Sequence, residues 1–228
     1  MGKIIKGVIF DLDGTLIDSL ETYCMAFNSI VKRHNLKPID IREISDFLNQ
    51  FISLEQLLEK LYPSLGPDEI QEFMLEMREE FIALAKHHIT LKPNAREVLT
   101  SLKDKGMKIG VATGRMSRGD GKWRELNNLG INSLVDIVVT AGETKPKPDP
   151  ASLIKCAEQL ELSPDECIFV GDSIADVIAG KNAGIKVIAI PSGVASREQL
   201  AKERPDFFID CLSNLPAQIE AISRGQPL

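Results

Sequence analysis

Asp11 and Asp13 stand one residue apart at the end of a largely apolar run, residues 4–10. That run predicts a strand buried on both faces, as in a parallel sheet. Side chains alternate along extended backbone, so both carboxylates would point to one side of it. Gly14 follows, and a residue without a Cβ lets backbone N–H groups come close to a ligand. Open α/β sheets bind ligands beyond the carboxyl ends of their strands. A carboxylate pair placed there can divide the work between a nucleophile and a proton carrier.

Three later stretches offer partners of the right kind: Thr113-Gly114-Arg115, Lys145-Pro146-Lys147-Pro148-Asp149, and Gly171-Asp172-Ser173 with Asp176 beyond it. Asp172 and Asp176 are four apart, one helical turn, and can share a face. If each stretch follows a strand of one parallel sheet, all of them reach the same rim. Carboxylates about 5 Å apart repel by roughly 3 kcal/mol at an effective dielectric near 20, so such a cluster calls for a cation. Oxygen-only donors favour Mg²⁺, with waters and a substrate phosphate completing the octahedron. Lys145 then supplies positive charge, while Thr113 and the Gly114 N–H supply hydrogen bonds. Together these describe a site for a phosphate dianion beside a nucleophilic carboxylate. Lys147 is the runner-up to Lys145 and reads as a solvated neighbour. Arg115 reads equally as a phosphate contact or a solvent-facing cation.

The elements that must hold these groups follow from periodicity. Residues 19–35, 40–50, 54–62 and 67–88 predict helices, with a break around Pro63, Gly66 and Pro67. From Thr90 onward, strands at 108–113, 135–140, 167–171, 186–190 and 206–209 alternate with helices at 95–105, 119–129, 150–160, 174–183, 196–203 and 214–222. The expected class is α/β: a Rossmann-like, doubly wound parallel sheet from residues 1–17 and 91–228, with an all-helical insert at 18–90. Residues 224–228 are expected to fray.

D-x-D-G-T after an apolar strand, a Thr after the second strand, K-P-x-P-D and G-D-x-x-x-D occur here in that order. In this they resemble the haloacid dehalogenase-like hydrolase superfamily, and within it the phosphoglycolate phosphatase and β-phosphoglucomutase type, whose helical cap is inserted after the first strand. The resemblance covers essentially the whole chain. It implies Asp11 as the nucleophile that forms an aspartyl-phosphate, and Asp13 as the acid for the leaving oxygen and then the base for water. It implies Thr113 and Gly114 as phosphoryl ligands and Lys145 as the bridge between Asp11 and the phosphate. Mg²⁺ would be held by Asp11, the Asp13 main-chain carbonyl and Asp172, with Asp176 orienting the site from behind. The implied enzyme is a Mg²⁺-dependent, phosphoglycolate phosphatase-like hydrolase of a small phosphorylated metabolite. Its rivals are a β-phosphoglucomutase-like mutase, a phosphonate hydrolase needing a cap lysine, and an idle binding protein that would have lost one of these groups.

The whole chain narrows the rest. A net charge of −6 argues against nucleic acid or an anionic membrane as the main partner. No apolar run approaches the roughly 18–20 residues a bilayer demands. The start Met1-Gly2-Lys3 leaves no room for a signal peptide, and Lys6 occupies the position a myristoylation signal gives to Ser or Thr. The scattered cysteines Cys24, Cys156, Cys167 and Cys211 form no C-x-x-C pair, so they read as reduced packing residues of a cytoplasmic protein. His34, His87, His88 and Trp123 read as structural, and the apolar Phe73, Met77, Phe81 and Leu84 as core of the insert. The basic insert residues Lys32, Arg33 and Arg42 read as solvated. Neither G-x-G-x-x-G nor G-x-x-x-x-G-K-[ST] is present. A monomer or a homodimer is expected.

Overall fold

The computed structural model describes residues 4–50 and 52–224. The expectations for residues 1–3 and 225–228 lie outside these. The chain divides into two compact units, one made of the residues up to Asp18 together with those from Leu91 on, the other of Ser19–Thr90. In chain order the elements are β1 (Gly7–Phe10), β2 (Ile17–Asp18), α1 (Leu20–Arg33), α2 (Ile41–Leu48), α3 (Leu54–Leu61), α4 (Pro67–His88) and β3 (Thr90–Leu91). Then follow α5 (Ala95–Asp104), β4 (Lys108–Thr113), α6 (Arg124–Asn128), β5 (Ile137–Thr140), α7 (Ala151–Gln159) and β6 (Cys167–Gly171). The chain ends with α8 (Ile174–Asn182), β7 (Lys186–Ala189), α9 (Arg197–Lys202), β8 (Phe207–Phe208) and α10 (Leu215–Arg224).

In the larger unit the strands form one six-stranded sheet in the order β5-β4-β1-β6-β7-β8, parallel throughout. Val8, Ile9, Phe10, Val111, Val139, Ile168, Phe169 and Val170 are buried on both faces, which is why these strands read as continuous apolar runs rather than alternating ones. On one face Ile9, Ala112, Val139 and Phe169 pack with Leu153 and Cys156 of α7 and Ala179 of α8. From β1 the chain steps outward to β4 and β5, then crosses back to β6 and runs outward the other way. The order therefore reverses between β1 and β6, the position where doubly wound sheets open a ligand crevice. Phe10 is in register with both Val111 and Val170, so the carboxyl ends of β1, β4 and β6 share one rim.

Three local expectations needed correction. The first strand begins at Gly7 rather than at residue 4, with Ile4 exposed. The helix expected over 119–129 is a 3₁₀ turn at Gly119–Trp123 followed by the short α6. Gly119 adopts φ +53° and Gly121 follows two residues on, and neither suits an α-helical interior. The two-residue strands β2 and β3 were not expected; periodicity has nothing to act on over so short a length.

The helical unit Ser19–Thr90 has its own core. Phe27 and Phe73 meet at a 59° tilt with ring centroids 5.4 Å apart, and Ile30, Ile44, Leu58 and Met77 are buried with them. Phe81 and Leu84 pack against this cluster partly buried. Capping boxes at Asp40/Glu43 and Ser53/Gln56 start α2 and α3, satisfying backbone donors that would otherwise go unpaired. His87 and His88 end α4 exposed, where imidazoles suit a helix C-terminus. His34 lies 3.4 Å from Glu76.

Candidate active site

Asp11 leaves β1 still paired to the sheet: its N–H donates to Val170 O at 2.8 Å. The carboxylate is buried, and Lys147 Nζ donates to its Oδ1 at 2.6 Å. The same ammonium donates to Asp176 Oδ1 at 2.5 Å and to Ala112 O at 3.1 Å, and lies 5.4 Å over the Phe169 ring. Burial works to lower the Lys147 pKa, but the charges of Asp11 and Asp176 outweigh it and hold the ammonium firmly protonated.

This overturns the assignment of Lys145. Lys145 is exposed, and the lysine on Asp11 is Lys147. The stretch 145–150 spells K-P-x-P twice in overlapping frames, and the second, Lys147-Pro148-Asp149-Pro150, is the one that enters α7. There Asp149 Oδ1 accepts the Ala151 N–H at 2.9 Å, fixing the helix start. With α7 packed on the sheet, Lys147 lies within reach of β1.

Asp172, just past β6, is held from two sides. Thr15 Oγ1 donates to its Oδ1 at 2.8 Å and the Val194 N–H to its Oδ2 at 3.0 Å. Gly14 has φ +91°, and a Cβ there would meet Asp172 Oδ2 at 2.5 Å; a Cβ on Gly193 would meet it at 1.9 Å. Two glycines thus close around one carboxylate. Asp176 is tied to the start of α8, accepting the Ser173 N–H at 3.0 Å and the Ser173 hydroxyl at 2.6 Å.

Carboxylate oxygens of Asp11, Asp172 and Asp176 lie within 4.8 Å of one another. Burial pushes the Asp172 carboxyl up to about 7, with the Asp176 charge adding to it. Asp11 is also raised well above the usual carboxylate range, by burial first, against the pull of Lys147. One ammonium does not neutralise three buried acids, and the donors are all oxygen. The set therefore suits a hard divalent cation of the Mg²⁺ kind. Asp176, expected to orient the site from behind, lies in the cluster with Asp11 and Asp172, while Asp13, expected to offer the metal only its main-chain carbonyl, pairs its carboxylate with Arg115.

Asp13 accepts from Arg115 Nε at 2.9 Å and Nη2 at 2.7 Å, and Thr113 Oγ1 lies 3.5 Å from its Oδ2. The guanidinium's third nitrogen, Nη1, is 3.3 Å from Glu125 Oε1, and the Arg115 side chain is only 17% exposed. Thr113 ends β4 buried and accepts the Arg115 N–H at 3.2 Å; Gly114 is exposed beside it. Sequence reasoning left Arg115 undecided and gave no role to Glu125 or to Thr15. Thr15 was legible as the last residue of D-x-D-G-T. Glu125 carried no signal, being one acid among many on a surface-like turn.

With the geometry in place, the comparisons with known proteins agree. Residues 8–190 match the family model described as haloacid dehalogenase-like hydrolase. Pyrophosphatase PpaX of Bacillus pumilus is 29% identical over 220 residues, covering 95% of this chain and 97% of that protein. A phosphoglycolate phosphatase of Pseudomonas fluorescens is 28% identical over 219 residues, covering 94% of this chain and 79% of that one. A crystal structure described as a predicted phosphoglycolate phosphatase from Haemophilus somnus superposes with a TM-score of 0.86 at 25% identity, covering 94% and 97% of the two chains. Acids and one lysine delivered to a single sheet rim, together with a family match over most of its length, make this chain a haloacid dehalogenase-like hydrolase of the phosphatase kind.

Proposed function

We propose that the chain is a Mg²⁺-dependent phosphatase acting on a small phosphorylated metabolite through an aspartyl-phosphate on Asp11. The observation that carries this reading is Lys147 Nζ held at 2.6 Å on Asp11, with Asp172 and Asp176 gathered beside it. An Asp11 oxygen attacks phosphorus and the bond to the leaving oxygen breaks, that oxygen taking a proton from Asp13. Water then attacks the same phosphorus, gives its proton to Asp13, and frees Asp11 and inorganic phosphate. Lys147 pulls Asp11 toward its ionised form and faces the charge that builds on the phosphoryl group, while Thr113 and the Gly114 N–H hold its oxygens. Asp11, Asp172 and Asp176 would hold the metal, which when bound offsets negative charge on the phosphoryl oxygens. Asp13 joins this set only through its main-chain carbonyl.

These core groups address only the phosphoryl end and do not distinguish one leaving group from another. Phosphoglycolate is the first substrate proposed and inorganic pyrophosphate the second, the latter favoured by the pyrophosphatase relative. The test is phosphate release from both, with glucose 6-phosphate formed from β-glucose 1-phosphate plus its bisphosphate as the mutase control, with MgCl₂ and with EDTA. Release that needs Mg²⁺ and vanishes in Asp11→Asn is expected. Turnover that survives chelation, or an active Asp11→Asn protein, overturns the reading.

A further inference from the structure

The Asp13 carboxylate is gripped by both Nε and Nη2 of Arg115, the fork geometry that fixes a carboxylate in direction as well as place. The other side of the guanidinium is in turn anchored by Glu125, whose side chain is 9% exposed at the start of α6. Thus a buried acid holds a cation that holds the proton carrier. The logic is that of a base oriented by a third group. We infer that Arg115, anchored by Glu125, is the positioning residue that aims the Asp13 carboxylate at the leaving oxygen.

Three features separate this from ordinary surface pairing. The guanidinium is largely buried, where an exposed pair would contribute little. Its three nitrogens are divided between two acids more than a hundred residues apart in sequence. And the Arg115 backbone N–H donates to Thr113 Oγ1 at 3.2 Å, which ties the phosphoryl-side threonine to the residue that clamps Asp13. A lysine at this position would keep the charge but lose the fork.

The inference rests on the phosphatase reading and is tested through the leaving group. From p-nitrophenyl phosphate the leaving group departs as p-nitrophenolate without needing a proton, whereas the glycerol oxygen of β-glycerophosphate needs one from Asp13. In kcat/KM, which reports steps through leaving-group departure, Arg115→Ala is expected to lose about tenfold to a hundredfold more on β-glycerophosphate than on p-nitrophenyl phosphate. Arg115→Lys should fall in between, and Glu125→Gln should show the same asymmetry, smaller. In the Asp13→Asn background the Arg115→Ala change should add no further loss. Equal losses on both esters, whether or not they track a fall in Tm, mean a structural or direct phosphate-binding role and overturn the inference. So does a further loss in the Asp13→Asn background. A wild-type protein that releases phosphate from neither ester with Mg²⁺ present overturns the phosphatase reading itself.

Discussion

At the level of single residues, the two lysines of one short loop divide sharply. Lys147 is buried between Asp11 and Asp176, while Lys145 is exposed. Lys147→Ala is therefore expected to lower kcat by about 10²–10³-fold or more, the usual cost of removing a preorganised electrostatic partner. Lys145→Ala should keep most of its activity, and steady-state kinetics on the active ester decides between them. The types and spacing in Lys145-Pro146-Lys147-Pro148 could not make this choice, because both lysines open a K-P-x-P frame. What separates them is where α7 begins, a matter of packing. Asp11, Asp13 and Asp172 were legible because each closes an apolar strand. Arg115 was not, since its partners Asp13 and Glu125 lie on other elements and no local spacing links them.

Elements explain why the rim could be read at all. Five of the six strands of the large sheet carry at least three consecutive apolar or glycine residues, and four of them, β1, β4, β5 and β6, end at Asp, Thr or Gly. Parallel order then brings those ends together without any long-range information in the sequence. Loops escaped this logic. The turn after β7 places Gly193 against Asp172 and aims the Val194 N–H at it, yet nothing in Pro191-Ser192-Gly193-Val194 announces that task. Gly193→Ala should push Asp172 aside and raise the Mg²⁺ concentration giving half-maximal activity by about 10–100-fold. Ser173→Ala probes the neighbouring element. It removes both the N-cap of α8 and a hydrogen bond to Asp176, so it should cost about 1 kcal/mol in chemical denaturation and raise the half-maximal Mg²⁺ concentration in the same direction. Either variant with wild-type Mg²⁺ titration would show that these second contacts do not hold the cluster in shape.

For the molecule as a whole, a buried acid cluster makes stability depend on pH and on cation together. In the metal-free protein Asp172 is raised to about 7, whereas an unfolded chain would have it near 3.9. Between those values the folded form holds a proton that the unfolded form has released, so stability falls as pH rises through roughly 4 to 7. Asp11 is displaced in the same direction and adds to the fall. Lys147 stays charged in both states across this window and does not offset it. A divalent cation held as proposed would bind the deprotonated cluster of the folded state alone, so it should restore what alkaline pH removes. Thermal unfolding from pH 5 to pH 8 is thus expected to show Tm declining in EDTA, with a much flatter curve in excess MgCl₂. The Mg²⁺ increment should be largest at pH 8 and small at pH 5. Parallel curves with and without Mg²⁺ would mean that the acids of the rim neither repel strongly when folded nor share a cation, and would count against the metal assignment independently of any turnover measurement.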